Sequence, residues 1–260
     1  MLEMKKYIYL GVDQTGAIDS KGKPRPLPAC LIQNDVISFF YLSTFSKQEI
    51  LNKVQPAPDE QLLICIDCVL GLPDQLKLTW RSQLKKLRKN NTYGRQAAIV
   101  FFRNIGKGQI LRRKIEIANN ANSVFTEKPY QKNIQTGTFR IWKDISWNEN
   151  DFFVPALEKR TSPGQIAIFE GYPSLSWRLL FKSTTRQPKK LSEFIKDKKL
   201  AIQWNKKHQA SVMKDANLAD AFVLALKMKT FKKMALLMIP TNEGWILGNG
   251  KDLMSLPPDQ

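Results

Sequence analysis

Four acidic residues stand where an α/β fold would bring them together. Asp13 follows the apolar run 7–12, Asp67 follows 61–66 and Glu170 follows 165–169. Continuous apolar runs of this length read as strands buried on both faces. Ligands of open α/β sheets bind beyond the carboxyl ends of such strands. The fourth acid, Asp220, falls inside the apolar stripe Ala216, Ala219, Val223, Leu226 of a helix predicted over 216–229. An ionised carboxylate in that position is costly unless it is paired or bound to a metal. Asp215 stands at the start of the same helix, where N-capping accounts for it; it is a subsidiary candidate ligand. Asn217, on the helix's other shoulder, is placed to reach the same pocket.

Converging Asp and Glu oxygens without histidine suit hard cations, Mg²⁺ or Mn²⁺. A pair of such ions about 3.5–4 Å apart activates a water and stabilises the leaving oxygen in phosphodiester cleavage. Asp13, Asp67, Glu170 and Asp220 are therefore the candidate catalytic and metal-binding residues. His208 is the only histidine, which leaves little room for Ser-His-Asp or Cys-His chemistry. Cys65 and Cys68 form a C-x-x-C pair, but only Cys30 and His208 remain to complete a zinc tetrahedron. The three cysteines are expected to be buried, inert thiols.

The balance of charge points to a partner. The chain has 260 residues with 41 Lys+Arg against 23 Asp+Glu, a formal +18. Such a surplus favours a polyanion through attraction and counterion release. It is also clustered. No acid occurs from Trp80 to Ile115, a stretch holding the candidate phosphate-backbone contacts Arg103, Lys107, Arg112, Arg113 and Lys114. A second basic stretch runs from Lys182 to Lys214, interrupted only by Glu193 and Asp197. Trp80, Tyr93, Phe101, Phe102, Trp177 and Trp204 lie among these charges; at their spacing they read first as core residues and second as base-stacking platforms. The implied partner is nucleic acid, DNA or RNA.

These side chains need a scaffold. Residues 29–32 and 36–42 flank Gln33-Asn-Asp35 as a hairpin, and Ser46 caps a short helix over 47–53. Residues 74–160 read as a mainly helical, basic insertion within one domain spanning 1–260. Pro173 suits the first turn of a helix through Trp177 and Leu180, and a linker-like basic stretch leads from it to the helix at 216. The segments 234–239 and 244–248 are apolar elements of undecided type. No apolar run approaches the ~20 residues of a membrane span, and the start lacks a signal peptide's pattern, so a cytoplasmic location is expected.

Short blocks around the acids also resemble a family. Gly11-Val-Asp-Gln-Thr-Gly16, Cys65-Ile-Asp-Cys-Val-Leu-Gly-Leu-Pro73, Phe169-Glu-Gly-Tyr-Pro-Ser-Leu-Ser-Trp-Arg178, Asp215-Ala-Asn-Leu-Ala-Asp-Ala221 and Glu243-Gly-Trp-Ile246 are similar to blocks of the domain of unknown function DUF429. The resemblance implies a ribonuclease-H-like mixed sheet flanked by helices, and a nuclease. Two departures stand out. Cys68-Val69 occupies the place of the family's common Ala-Pro, and the second acid often found three residues from Asp220 is Asn217 here. The expectation is a Mg²⁺- or Mn²⁺-dependent nuclease. Its rivals are a nucleic-acid-binding protein that does no chemistry, and an actin-like phosphotransferase using Asp13-Gln-Thr-Gly16 as a phosphate loop.

Overall fold

The computed structural model describes residues 6–14, 23–89, 92–121, 123–125, 132–162, 164–183, 186–197, 200, 202–203 and 205–248. Its centre is a six-stranded sheet in the order β3-β2-β1-β4-β6-β5. β1 (Lys6–Val12), β2 (Leu27–Gln33) and β3 (Val36–Leu42) form an antiparallel meander. The β2–β3 turn has Asn34 and Asp35 at φ 48° and 63°, the left-handed pair that a two-residue hairpin needs to match strand twist. β4 (Glu60–Ile66) and β6 (Ile166–Glu170) continue the sheet parallel to β1. Parallel neighbours require crossover connections, and buried strands require cover on both faces. An antiparallel meander joined through β1 to parallel strands, with helices over the sheet, is the ribonuclease-H-like arrangement.

The helix α1 (Lys47–Val54) leads from β3 back to β4, and Ser46 Oγ accepts the Glu49 amide at 3.3 Å to cap it. Between β4 and β6 the chain forms α2 (Trp80–Arg88), α3 (Arg95–Ile105), α4 (Lys114–Ala118) and α5 (Lys132–Ser146). This is the helical stretch anticipated from the sequence, with one addition. Phe152–Phe153 forms β5, which pairs parallel with β6 at the sheet edge, so the stretch also completes the sheet. Its core is continuous with that of the sheet: Phe102, Phe139 and Trp142 are wholly buried in the same cluster as Ile8 and Leu63.

After β6 come α6 (Pro173–Phe181), α7 (Pro188–Asp197), α8 (Lys206–Lys214), α9 (Ala216–Thr230) and α10 (Lys232–Leu236). The basic stretch read as a linker thus contains two helices. Leu191, Phe194 and Ile195 give α7 an inward face, and Asn205 Oδ1 caps α8 by accepting the His208 amide at 2.9 Å. The segment at 234–239 is partly α10, whereas Ile246 makes an isolated parallel bridge with Glu170.

α9 packs on β1, β2 and β4, and one residue sets how closely. A Cβ on Gly11 would lie 2.0 Å from the Ala221 carbonyl oxygen and 2.3 Å from the Ala225 nitrogen. Only glycine lets the helix backbone rest on the strand backbone at this crossing, and that brings Asp220 down to the end of β1. Gly11→Ala is expected to lower unfolding free energy by about 3 kcal/mol or more, as overpacking against backbone does. Urea denaturation of the two proteins checks this; a loss under ~0.5 kcal/mol would mean that the crossing is not tight.

Candidate functional site

The pleat and register of the sheet divide the four acids into two sets. In β1–β4 pairing Val12 lies opposite Ile66, so the next residues, Asp13 and Asp67, leave the sheet side by side. The Asp67 amide donates to the Val12 carbonyl at 2.9 Å and the Asp13 amide to the Pro28 carbonyl at 3.1 Å, which fixes both. Asp13 is two residues beyond Gly11 and shares its face, the face that α9 covers. In β4–β6 pairing, however, Ile66 lies opposite Glu170. Glu170 therefore sits in the row of Val12 and Ile66, one residue out of step with the aspartates, and alternation sends it to the other face.

There Glu170 meets Arg113. The guanidinium donates from Nη2 to Glu170 Oε1 at 2.5 Å and from Nη1 to Oε2 at 2.8 Å, and from Nε to Glu116 Oε1 at 2.9 Å. Arg113, Glu116 and Glu170 are all buried. The Leu70 amide also donates to Glu170 Oε2, at 2.9 Å. Two expectations need correcting as a result. Arg113 is a buried counter-ion and has no surface to offer a phosphate. Glu170 has both oxygens committed to Arg113 and to the loop after Asp67, so it acts as a brace for that loop. The neighbouring Glu243 extends the brace, accepting the Asp74 amide at 3.0 Å and the Lys114 amide at 2.6 Å.

Asp13, Asp67 and Asp220 remain on the α9 face. Asp13 and Asp220 are buried and Asp67 is half-buried. A hydrogen bond joins Asp13 to Asp67. Burial, then the charges of Asp67 and Asp220, push the Asp13 carboxyl well above the carboxylate range. Burial and then the Asp220 charge push Asp67 up to about 7, against hydrogen bonds from Gln14 and Asp13 that favour its ionised form. Asp13 donates this hydrogen bond, which favours its own protonated form and the ionised form of Asp67. Gln14 lies flat on α5, where a Cβ on Gly137 would fall 1.5 Å from its Oε1; that oxygen is buried and accepts no hydrogen bond.

Asp220 is the acid whose surroundings sequence reasoning missed. Trp177 Nε1 donates to its Oδ1 at 2.8 Å, and Arg186, from the α6–α7 connection, forks onto both oxygens. Arg186 lies in the second basic stretch, 34 residues before Asp220, a separation that no motif encodes. Asp215 belongs elsewhere. Its Oδ1 accepts the Asn217 and Leu218 amides at 2.8 and 3.3 Å, and its Oδ2 accepts the Tyr41 hydroxyl at 3.0 Å. It caps α9 and ties it to β3, while Asn217 is exposed; neither joins the cluster.

Among the described residues no three His, Cys, Asp or Glu side chains are gathered to hold one metal ion. The donor chemistry nevertheless suits a hard cation: two hydrogen-bonded carboxylates, the buried amide oxygen of the neighbouring Gln14, and a third carboxylate already carrying a guanidinium in a cation's place. Of the basic candidates, Arg103 and Lys107 are exposed and Arg112 is half-buried, while Lys114 reaches outward to pair with Asp74 at 2.9 Å. Of the aromatics, Trp80, Phe102 and Trp177 are buried and Phe101 packs edge-on to Phe139 at 5.5 Å. Tyr93 is exposed with the Lys143 ammonium 3.8 Å from its ring centre; Trp204 lies outside the described residues. All three cysteines are free and buried, and burial pushes the Cys65 thiol up to about 12.

Comparison of the chain with family models, curated proteins and solved structures returns no match. No helix of the described residues is long and apolar enough to cross a membrane.

Two predictions follow from this geometry. Arg113→Ala leaves Glu116 and Glu170 buried without a counter-ion, and should cost about 3–5 kcal/mol of stability while leaving the salt dependence of any nucleic-acid binding unchanged. Denaturant unfolding and binding titrations at several salt concentrations read the two separately. The second concerns pH. Because Asp67 titrates near 7 in the folded chain and near 3.9 unfolded, the native state binds the extra proton between these values. Stability is greatest below about pH 4 on this account and falls as pH rises through 7. In EDTA, Asp67→Asn should exceed wild type by about 1–3 kcal/mol at pH 8, and the gap should close towards pH 5. A constant gap would show that Asp67 is already ionised throughout.

Proposed function

We propose that the protein is a divalent-metal-dependent nuclease. The observation that carries this reading is the hydrogen-bonded pair Asp13 and Asp67 at two adjacent strand ends, with the charge of Asp220 acting on both from α9. Like charges held together beneath a helix stabilise nothing by themselves. They become useful when a cation offsets them. Asp13 and Asp67 would hold a Mg²⁺ or Mn²⁺, with Gln14 Oε1 and Asp220 as further oxygen donors. The bound metal supplies an activated water and charge stabilisation at the phosphorus.

The chain's own groups do the rest. The brace of Glu170, Arg113 and Glu243 holds the loop after Asp67 so that its carboxylate stays beside Asp13. Arg103, Lys107, Arg112 and Lys114 present positive charge for the phosphate backbone, in accord with the net +18. The likeness of the aspartate-bearing blocks to DUF429 agrees with this assignment and extends it to a family, as part of the same proposal. DNA and RNA are both admitted by a site that contacts backbone.

A second reading, binding without chemistry, is favoured by a specific observation: two of the four acids are already neutralised by arginines, Glu170 by Arg113 and Asp220 by Arg186. Incubation of labelled single-stranded and duplex DNA and RNA with Mg²⁺, Mn²⁺ or EDTA separates the two. Cleavage should need the metal, and Asp13→Asn or Asp67→Asn should slow it by at least about 100-fold while binding persists. Binding that is equal in EDTA and Mn²⁺, with no cleavage of any substrate, would establish the second reading.

A further inference from the structure

Arg186 belongs to none of the blocks that carry the acids, yet its guanidinium stands among them. Nε donates to Asp220 Oδ1 at 2.9 Å and to Oδ2 at 3.0 Å, and Nη2 donates to Oδ2 at 2.5 Å. With Trp177 Nε1 at 2.8 Å from Oδ1, three N–H groups make four contacts to the two oxygens, two to each. While Arg186 stays, Asp220 has nothing to give a metal. The guanidinium also acts on the charges of Asp13 and Asp67, so it is the counter-ion of the whole cluster.

The two partners of this ion pair are unequally held. The Asp220 side chain is 4% exposed and fixed on α9, whereas that of Arg186 is 51% exposed and springs from the connection between α6 and α7. The half-exposed guanidinium can turn into water at little cost to itself, whereas the buried carboxylate it leaves needs another cation in its place. A divalent cation brings a higher charge to the same oxygens. A guanidinium fork, in turn, fits a phosphate as well as it fits a carboxylate.

We propose that Arg186 is an exchangeable cation: it holds Asp220 in the metal-free protein, yields that carboxylate to the divalent ion, and once displaced binds a phosphate of the nucleic acid at the rim of the site. The inference rests on the metal-dependent reading above and adds to it a phosphate-binding residue and an order of events. Charge stays balanced in the exchange, because the departing guanidinium meets the arriving phosphate. Without nucleic acid Arg186 opposes metal binding; with it, the opposition is removed, so metal and substrate favour one another's binding.

The test uses the full chain, with Mn²⁺ uptake followed by electron paramagnetic resonance and oligonucleotide binding measured in Ca²⁺ by fluorescence anisotropy. Arg186→Gln should bind Mn²⁺ about tenfold more tightly than wild type, since no competing state withholds Asp220. The same variant should bind a DNA oligonucleotide in Ca²⁺ about tenfold more weakly, having lost a charged fork contact. Opposite signs are the signature; a residue that merely supports the fold would weaken both or neither. Arg186→Lys keeps the charge without the fork and should fall between the two proteins in Mn²⁺ affinity, so it serves if the Gln variant fails to fold. Unchanged or weaker Mn²⁺ binding in a folded Arg186 variant, with wild-type uptake that Asp13→Asn abolishes, overturns this inference alone. Uptake that Asp13→Asn leaves intact, or no uptake by any variant, overturns the nuclease reading itself.

Discussion

Negative charge buried at the carboxyl end of the sheet has to be compensated, and the structure around β1, β4 and β6 is organised by how this is done. A buried carboxylate without a partner is disfavoured by several kcal/mol. Glu170 is answered on one face by Arg113, a side chain with no exposure at all. Asp220 is answered on the other by Arg186, half in water. Asp13 and Asp67 have each other, Gln14 and the charge of the same half-exposed Arg186. Compensation is thus complete on the Glu170 side and incomplete on the aspartate side. The incomplete side is where a cation would gain most, and the chain's electrostatics alone single it out.

That asymmetry traces back to sheet geometry. Because side chains alternate along a strand, the one-residue offset between Asp67 and Glu170 in the β4–β6 register decides which face each acid occupies. The face that receives Asp13 and Asp67 is then covered by α9, whose approach is limited only by the bare Gly11 backbone. A side chain at position 11 would lift the helix and draw Asp220 away from the strand ends. Lys227, on the same helix, shows a second use of this close packing. Wholly buried, it donates to the Gly171 carbonyl at 2.9 Å and to Ser176 Oγ at 3.2 Å, tying α9 to the turn after Glu170. Burial lowers its ammonium to about 8.

Much of this was legible in the residues. The strands at 7–12, 61–66 and 165–169 declared themselves by unbroken apolar runs, the hairpin by Asn34-Asp35, and the last helix by its stripe. Asp13, Asp67, Glu170 and Asp220 were expected to converge on that basis; the structure joins Asp13 to Asp67 by a hydrogen bond and turns Glu170 to the other face of the sheet. What failed depended on register or on distance in sequence. Glu170 ends an apolar strand as the aspartates do, and no local pattern tells a residue one step out of phase with a neighbouring strand. Arg113 was grouped with surface cations because it lies in an acid-free run from Trp80 to Ile115; its partners Glu116 and Glu170 lie just outside that run and 57 residues away. The helices α7 and α8 were hidden by their lysines, although Leu191, Phe194, Ile195 and the Asn205 cap carried the signal.

The fate of the basic residues also changes what the net charge means. Arg81, in the same acid-free run, donates to both oxygens of Glu158 and to the Phe152 carbonyl, so it pins the edge strand β5. Arg140 donates to the carbonyls of Arg25 and Ser43, and Lys143 to that of Thr92 at 2.6 Å. These cations satisfy backbone carbonyls and the half-buried Glu158, and their charge is not presented to a partner. The surplus that remains outward is carried by residues such as Lys85, Lys86 and Arg88, exposed along α2, and by Lys206 and Lys207 on α8. Long-range attraction to a polyanion depends on this outward fraction. A basic composition therefore overstates the binding surface wherever arginines have been drawn inward, and here they have been drawn inward beside the carboxylates.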